Sequence, residues 1–114
     1  MWYFVKTPLL LKLLLPSFIW SKKSDDVFLT FDDGPTKGNT KKILAILKEH
    51  NVLATFFCVG KNVQQNPSIY KEITDEGHAI GNHTMYHPNG WKTSSKKYIE
   101  DIDRGSKHIK STLF

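Results

Sequence analysis

The chain has 114 residues, 39% hydrophobic, 12% aromatic and 24% charged, an ordinary globular composition for at most one domain, which excludes a disordered or collagen-like polymer and a complete large barrel. Sixteen Lys and Arg against eleven Asp and Glu leave a formal charge of +5, yet no run of five or more basic residues occurs, so nucleic acid is not an expected partner. The single cysteine, Cys58, excludes an intramolecular disulfide and a cysteine-based zinc knuckle.

Lys6, Lys12, Lys22 and Lys23 all precede the first acid, Asp25, so residues 1–24 read as a basic, Leu-rich segment ahead of a domain at 25–114. Its apolar stretch from Leu9 to Trp20 is interrupted by Lys12 and Pro16, short of the roughly 18 residues that a membrane span requires. A packed helix or a membrane-surface segment is expected instead, which leaves room for weak membrane-surface association. Signal-peptide character is partial, because Lys6 precedes a short apolar core but no small-x-small cleavage site follows; cell envelope and cytoplasm both stay open.

After a polar linker, Val27 to Phe31 reads as a buried strand closed by the turn signal Asp33-Gly34-Pro35. A helix capped by Asn39 or Thr40 then runs through His50, with Ile43, Leu44, Ile46 and Leu47 on its apolar stripe and Asn51 at its exit. Leu53 to Val59 is the second strand, within which Cys58 reads as a buried, inert thiol, and Gly60 punctuates it. Pro67 opens a helix to Glu76 with Ile69, Tyr70 and Ile73 inward, and Gly77 stops it. His78 to His83 is a short third strand, and a last helix fits Ser94 or Ser95 through Leu113, weakened in its middle by Gly105. This alternation implies right-handed βαβ units and a parallel sheet buried on both faces, with chemistry at the carboxyl ends of the strands.

Asp32, Asp33 and His83 fall at those ends. Adjacent carboxylates at a strand end repel unless a cation or proton lies between them, although an ordinary Asp-Gly turn also accounts for the pair. His83 and His87, four apart, would share one face of a helical turn and could share a cation, or be two unrelated surface histidines. They lack the glutamate of the H-E-x-x-H zinc proteases. His50, His78 and His108 are isolated and read as structural or solvated. Two histidines and one carboxylate with an open position compose a catalytic rather than a structural zinc site.

Leu29-Thr30-Phe31-Asp32-Asp33-Gly34-Pro35 resembles the first motif of the NodB-homology polysaccharide deacetylases, carbohydrate esterase family 4, and Gly81-Asn82-His83-Thr84-Met85-Tyr86-His87-Pro88 resembles the second. Ala54 to Gly60 is similar to the strand between them. The resemblance implies an α/β fold, an incomplete distorted (β/α) barrel with about three β/α units. It also implies that Asp32 is the catalytic base, that Asp33, His83 and His87 ligate a divalent metal, usually Zn2+, and that Thr84 steadies the loop between the histidines. The reaction implied is metal-dependent hydrolysis of N-acetyl, sometimes O-acetyl, groups on a chitin-like or peptidoglycan glycan. The family's next motif, an Arg-Pro-Pro-Tyr-Gly-like segment carrying an oxyanion donor, should begin where the chain ends at Ser111-Thr112-Leu113-Phe114, and the later general-acid histidine is absent as well. The chain is therefore read as a fragment or incomplete gene model, weak or inactive alone; the alternative is a non-catalytic remnant that binds metal or glycan.

Overall fold

The computed structural model describes residues 7–21 and 23–112. Strands β1 (Thr30–Asp32), β2 (Thr55–Cys58) and β3 (Ala79–Asn82) form one parallel sheet in that order. Helices α1 (Leu9–Leu14), α2 (Asn39–Glu49), α3 (Gly60–Gln65), α4 (Pro67–Asp75) and α5 (Ser95–Ser111) punctuate it, with a 3-10 turn at Gly90–Lys92. The sheet is open, with β1 and β3 at its edges among the described residues, so the architecture is α/β, an incomplete (β/α) barrel.

In register, Phe31, Phe56 and Ile80 stand side by side across the three strands. Phe31 stacks on Phe56 at 5.2 Å between ring centroids. This row packs with Leu44 and Leu47 of α2, Val63 of α3, Tyr70 and Ile73 of α4 and Ile109 of α5. In α2 and α4 these residues recur at helical spacing, so each of those two helices presents an apolar stripe to the sheet. The core lies on one face only. Thr30, Asp32 and Ala79 on the opposite pleat are exposed, which corrects the expectation of a sheet covered on both sides.

Helix exits follow the residues. Asn51 (φ 58°) and Gly77 (φ 84°) take the left-handed conformation just past α2 and α4. After α2, the Asn51 and Val52 amides donate to Lys48 and Leu47 carbonyls; after α4, Gly77 and His78 donate to Thr74 and Ile73. Both are Schellman closures, which satisfy carbonyls the helix leaves free. Pro67 stands at the first turn of α4, as its spacing predicts.

Several expectations need correction. Val27, Phe28 and Leu29 are exposed, and β1 starts only at Thr30, because pairing with β2 begins at Thr30↔Thr55. Neither Asn39 nor Thr40 caps α2; Gly38 stands at that position, and buried Thr40 instead accepts the Thr36 amide at 2.9 Å through Oγ1. Ile46 turns outward, leaving Ile43, Leu44 and Leu47 as the stripe. Gly60 does not merely punctuate; it begins α3. α1 has no buried residue and so is not a packed helix; its leucines stay largely exposed. Among the described residues, no helix is long and apolar enough to cross a membrane. The Leu113 end assigned to the last helix lies outside the described residues.

Candidate metal centre

The three strand ends deliver the chemistry to one rim. Asp33 follows β1, α3 starts two residues beyond β2, and His83 follows β3. Asp33 leaves the strand with φ 69°, a conformation that non-glycine residues rarely adopt and Asp tolerates better than most. Its Oδ1 then lies 3.2 Å from His83 Nε2 and 3.3 Å from His87 Nε2. The imidazole centroids are 4.8 Å apart, and three side-chain donor atoms, one from each residue, all lie within 4.8 Å of one another.

His83 and His87 do not meet on a helical turn. Thr84 (φ 66°) and His87 (φ 52°) are both left-handed, and the intervening loop folds back so that the rings converge. Thr84 is buried, and its Oγ1 accepts the His87 amide at 2.9 Å, closing the loop across the residues between the histidines. On one side the Gly60 and Lys61 amides donate to the Thr84 and Met85 carbonyls, both at 2.9 Å. These are first-turn donors of α3 that have no partner within their own helix. On the other side, Asp101 of α5 accepts the Met85 and Tyr86 amides through Oδ2 at 2.9 and 3.0 Å.

α3 holds the Asp33 side of the cluster as well. Asn62 Nδ2 donates to the Asp33 carbonyl at 2.7 Å, and Asn66 Nδ2 donates to the Pro35 carbonyl at 3.2 Å. Sequence reasoning missed α3, Asn62 and Asp101. A short polar helix such as Gly60–Gln65 carries too little periodicity to register, and Asp101 sits far from His87 along the chain. Asp32 ends β1 with an exposed side chain, next to Asp33 but outside the three-atom cluster.

The cluster suits a cation. A tetrahedral zinc with ligands at about 2.0–2.2 Å separates neighbouring donor atoms by roughly 3.4 Å, close to both observed Nε2–Oδ1 distances. Asp33 is 70% and His87 59% exposed at the side chain, so the cluster opens to solvent on that side. Elsewhere, His78 is buried at the opposite ends of the strands, where Nδ1 accepts the Ala54 amide at 3.3 Å. His50 is exposed and His108 half-buried, and neither approaches the cluster's donor set. Cys58 is fully buried, and burial pushes its thiol up to about 12.

A family profile described as polysaccharide deacetylase matches residues 21–113. A peptidoglycan-N-acetylglucosamine deacetylase of Bacillus cereus is 53% identical over 77 residues, 68% of this chain and 28% of that protein. The peptidoglycan-N-acetylmuramic acid deacetylase PdaA of Bacillus subtilis is 35% identical over 92 residues, 81% of this chain and 35% of the relative. Among solved structures, the Bc1960 peptidoglycan N-acetylglucosamine deacetylase superposes with a TM-score of 0.72 at 47% identity, covering 75% of this chain and 40% of the other. The open three-stranded unit is thus the NodB-type fold in part, and the chain spans well under half the length of these relatives.

Proposed function

Because the chain belongs to the polysaccharide deacetylase family, we propose that residues 25–114 carry the metal-binding and base side of a hydrolase that removes N-acetyl, or O-acetyl, groups from a glycan. The observation that carries this reading is the convergence of Asp33, His83 and His87 on one point. Peptidoglycan is the favoured glycan class, since the relatives bear that substrate in their names. Zinc is the favoured metal, because two imidazoles and one carboxylate with an open position form its catalytic donor set. When bound, such a cation acts as a Lewis acid that acidifies water and polarises the acetyl carbonyl.

The chain's own residues have distinct tasks. Asp33, through Oδ1, and His83 and His87, through Nε2, hold the cation. Asp32, exposed at the end of β1, accepts the proton of the attacking water. The water oxygen bonds to the acetyl carbon, the carbon–nitrogen bond breaks, acetate departs and the amine nitrogen takes up a proton. Thr84 keeps the His87 backbone, and so its ring, in place.

Zinc titration of the chain tests the ligand set. Wild type should take up zinc, and His83→Ala and Asp33→Ala should each abolish uptake; undiminished affinity in both would overturn the assignment. Turnover by these 114 residues should be weak. An absent oxyanion donor costs about 10²–10³ in rate, and an absent general acid roughly 10²–10⁴. Zinc-dependent acetate release from N-acetylated sugar oligomers should vanish in Asp32→Asn, and release that survives the substitution would sink the base assignment. Zinc uptake with no acetate at all would favour the second reading, a non-catalytic metal- or glycan-binding unit.

A further inference from the structure

We propose that Asp101 is a positioning residue for the Asp33, His83 and His87 cluster: from α5, its carboxylate fixes the peptide segment between the two histidines. The inference rests on the metal-site reading above. The loop from His83 to His87 contains two left-handed non-glycine residues, and one of them, Thr84, is β-branched. Such backbone persists only where its surroundings over-determine it.

Hydrogen bonds from three directions hold that loop. Its carbonyls at Thr84 and Met85 are taken by the Gly60 and Lys61 amides, and the His87 amide by Thr84 Oγ1. Two further amides of the loop, Met85 and Tyr86, both donate to Asp101 Oδ2. Met85 also donates to the Asp101 main-chain carbonyl at 3.2 Å, so only the Tyr86 contact depends wholly on the side chain. A carboxylate accepting two amides makes charge-assisted bonds, stronger than neutral ones. Asp101 is not among the three ligating residues; its effect passes through the backbone that carries the imidazoles.

The 114-residue chain is compared with Asp101→Ala and Asp101→Asn by amide hydrogen exchange without metal and by zinc titration. In Asp101→Ala, the Tyr86 amide should exchange about tenfold faster and the Met85 amide, which keeps the Asp101 main-chain acceptor, less so, while Phe56 and Cys58 in β2 keep their rates, a local rather than global opening. Zinc affinity should fall about 10- to 100-fold, the usual cost of losing an outer partner of a ligand. Asp101→Asn keeps an oxygen acceptor and should recover most of both. Wild-type exchange and affinity in Asp101→Ala would overturn the proposal. So would acceleration reaching β2 equally, which would make Asp101 a general stabiliser. If wild type takes up no zinc, the metal reading falls, and the exchange comparison alone decides whether Asp101 holds the loop.

Discussion

Asp32 and Asp33 are neighbours with different surroundings. Asp32 keeps strand geometry opposite Phe57, whereas Asp33 turns into the left-handed region and brings its carboxylate to both imidazoles. Adjacency in the sequence does not say which carboxylate reaches the imidazoles; the left-handed turn at Asp33 does. Cys58 and Tyr70 illustrate burial acting on single groups. Burial pushes the Tyr70 hydroxyl up to about 12, with the Cys58 thiolate adding to the rise, and burial alone does the same to Cys58. The native state therefore keeps protons that the unfolded chain loses above its ordinary values of 9.0 for Cys58 and 10.0 for Tyr70. Stability contributed by these groups is complete below pH 9 and declines as pH rises toward about 12, by up to about 1.4 kcal/mol per pH unit for each. Urea midpoints measured at about pH 8 and pH 10.5 should fall accordingly, with a shallower fall in Cys58→Ala; a flat profile would contradict it.

At the scale of elements, α3 decides the site. It donates to the His83–His87 loop through Gly60 and Lys61 and to Asp33 through Asn62, tying together two segments of the cluster from opposite edges of the sheet. α2 and α4 were legible from their stripes and stop residues, and α5 from its stripe. α3 was not, because six mostly polar residues have their reason for being helical in what they cap. Gly105 is a second case. Read alone, it weakens α5; in the fold, a Cβ there would stand 2.6 Å from Asn82 Oδ1, 2.7 Å from the Thr84 carbonyl carbon and 2.9 Å from the Met85 amide nitrogen. Helix propensity favours Gly105→Ala by about 1 kcal/mol, but overpacking against backbone costs about 1–3 kcal/mol. Net destabilisation of up to about 2 kcal/mol is expected by urea denaturation, with a parallel drop in zinc affinity, since the crowded atoms include those of the histidine loop. A raised midpoint would refute it.

The whole molecule is one packed face with loose surroundings. No described residue from 7 to 30 is buried, and Val27, Phe28 and Leu53 stay exposed beside the open sheet. The radius of gyration of 16.5 Å exceeds the roughly 13 Å of a compact chain of this length, in keeping with an amino-terminal segment that stands off the core. Among the described residues the outer edges of β1 and β3 are unpaired, and together with the exposed apolar side chains they favour edge-to-edge association. The chain should therefore elute as concentration-dependent oligomers in size-exclusion chromatography with light scattering. A monodisperse monomer across a tenfold or so concentration range would count against this picture.

The order of strands and helices, the inward stripes of α4, the exits at Asn51 and Gly77 and the rim position of Asp33 and His83 are determined by local rules. Periodicity, turn chemistry and the handedness of parallel connections act over a few residues or one βαβ unit, so they can be read along the chain. The start of β1, the existence of α3, the non-helical meeting of His83 with His87 and the grip of Asp101 on their loop were decided only by tertiary structure. Each depends on groups distant in sequence satisfying one another's hydrogen bonds or excluding one another's atoms, and no local pattern encodes such a meeting.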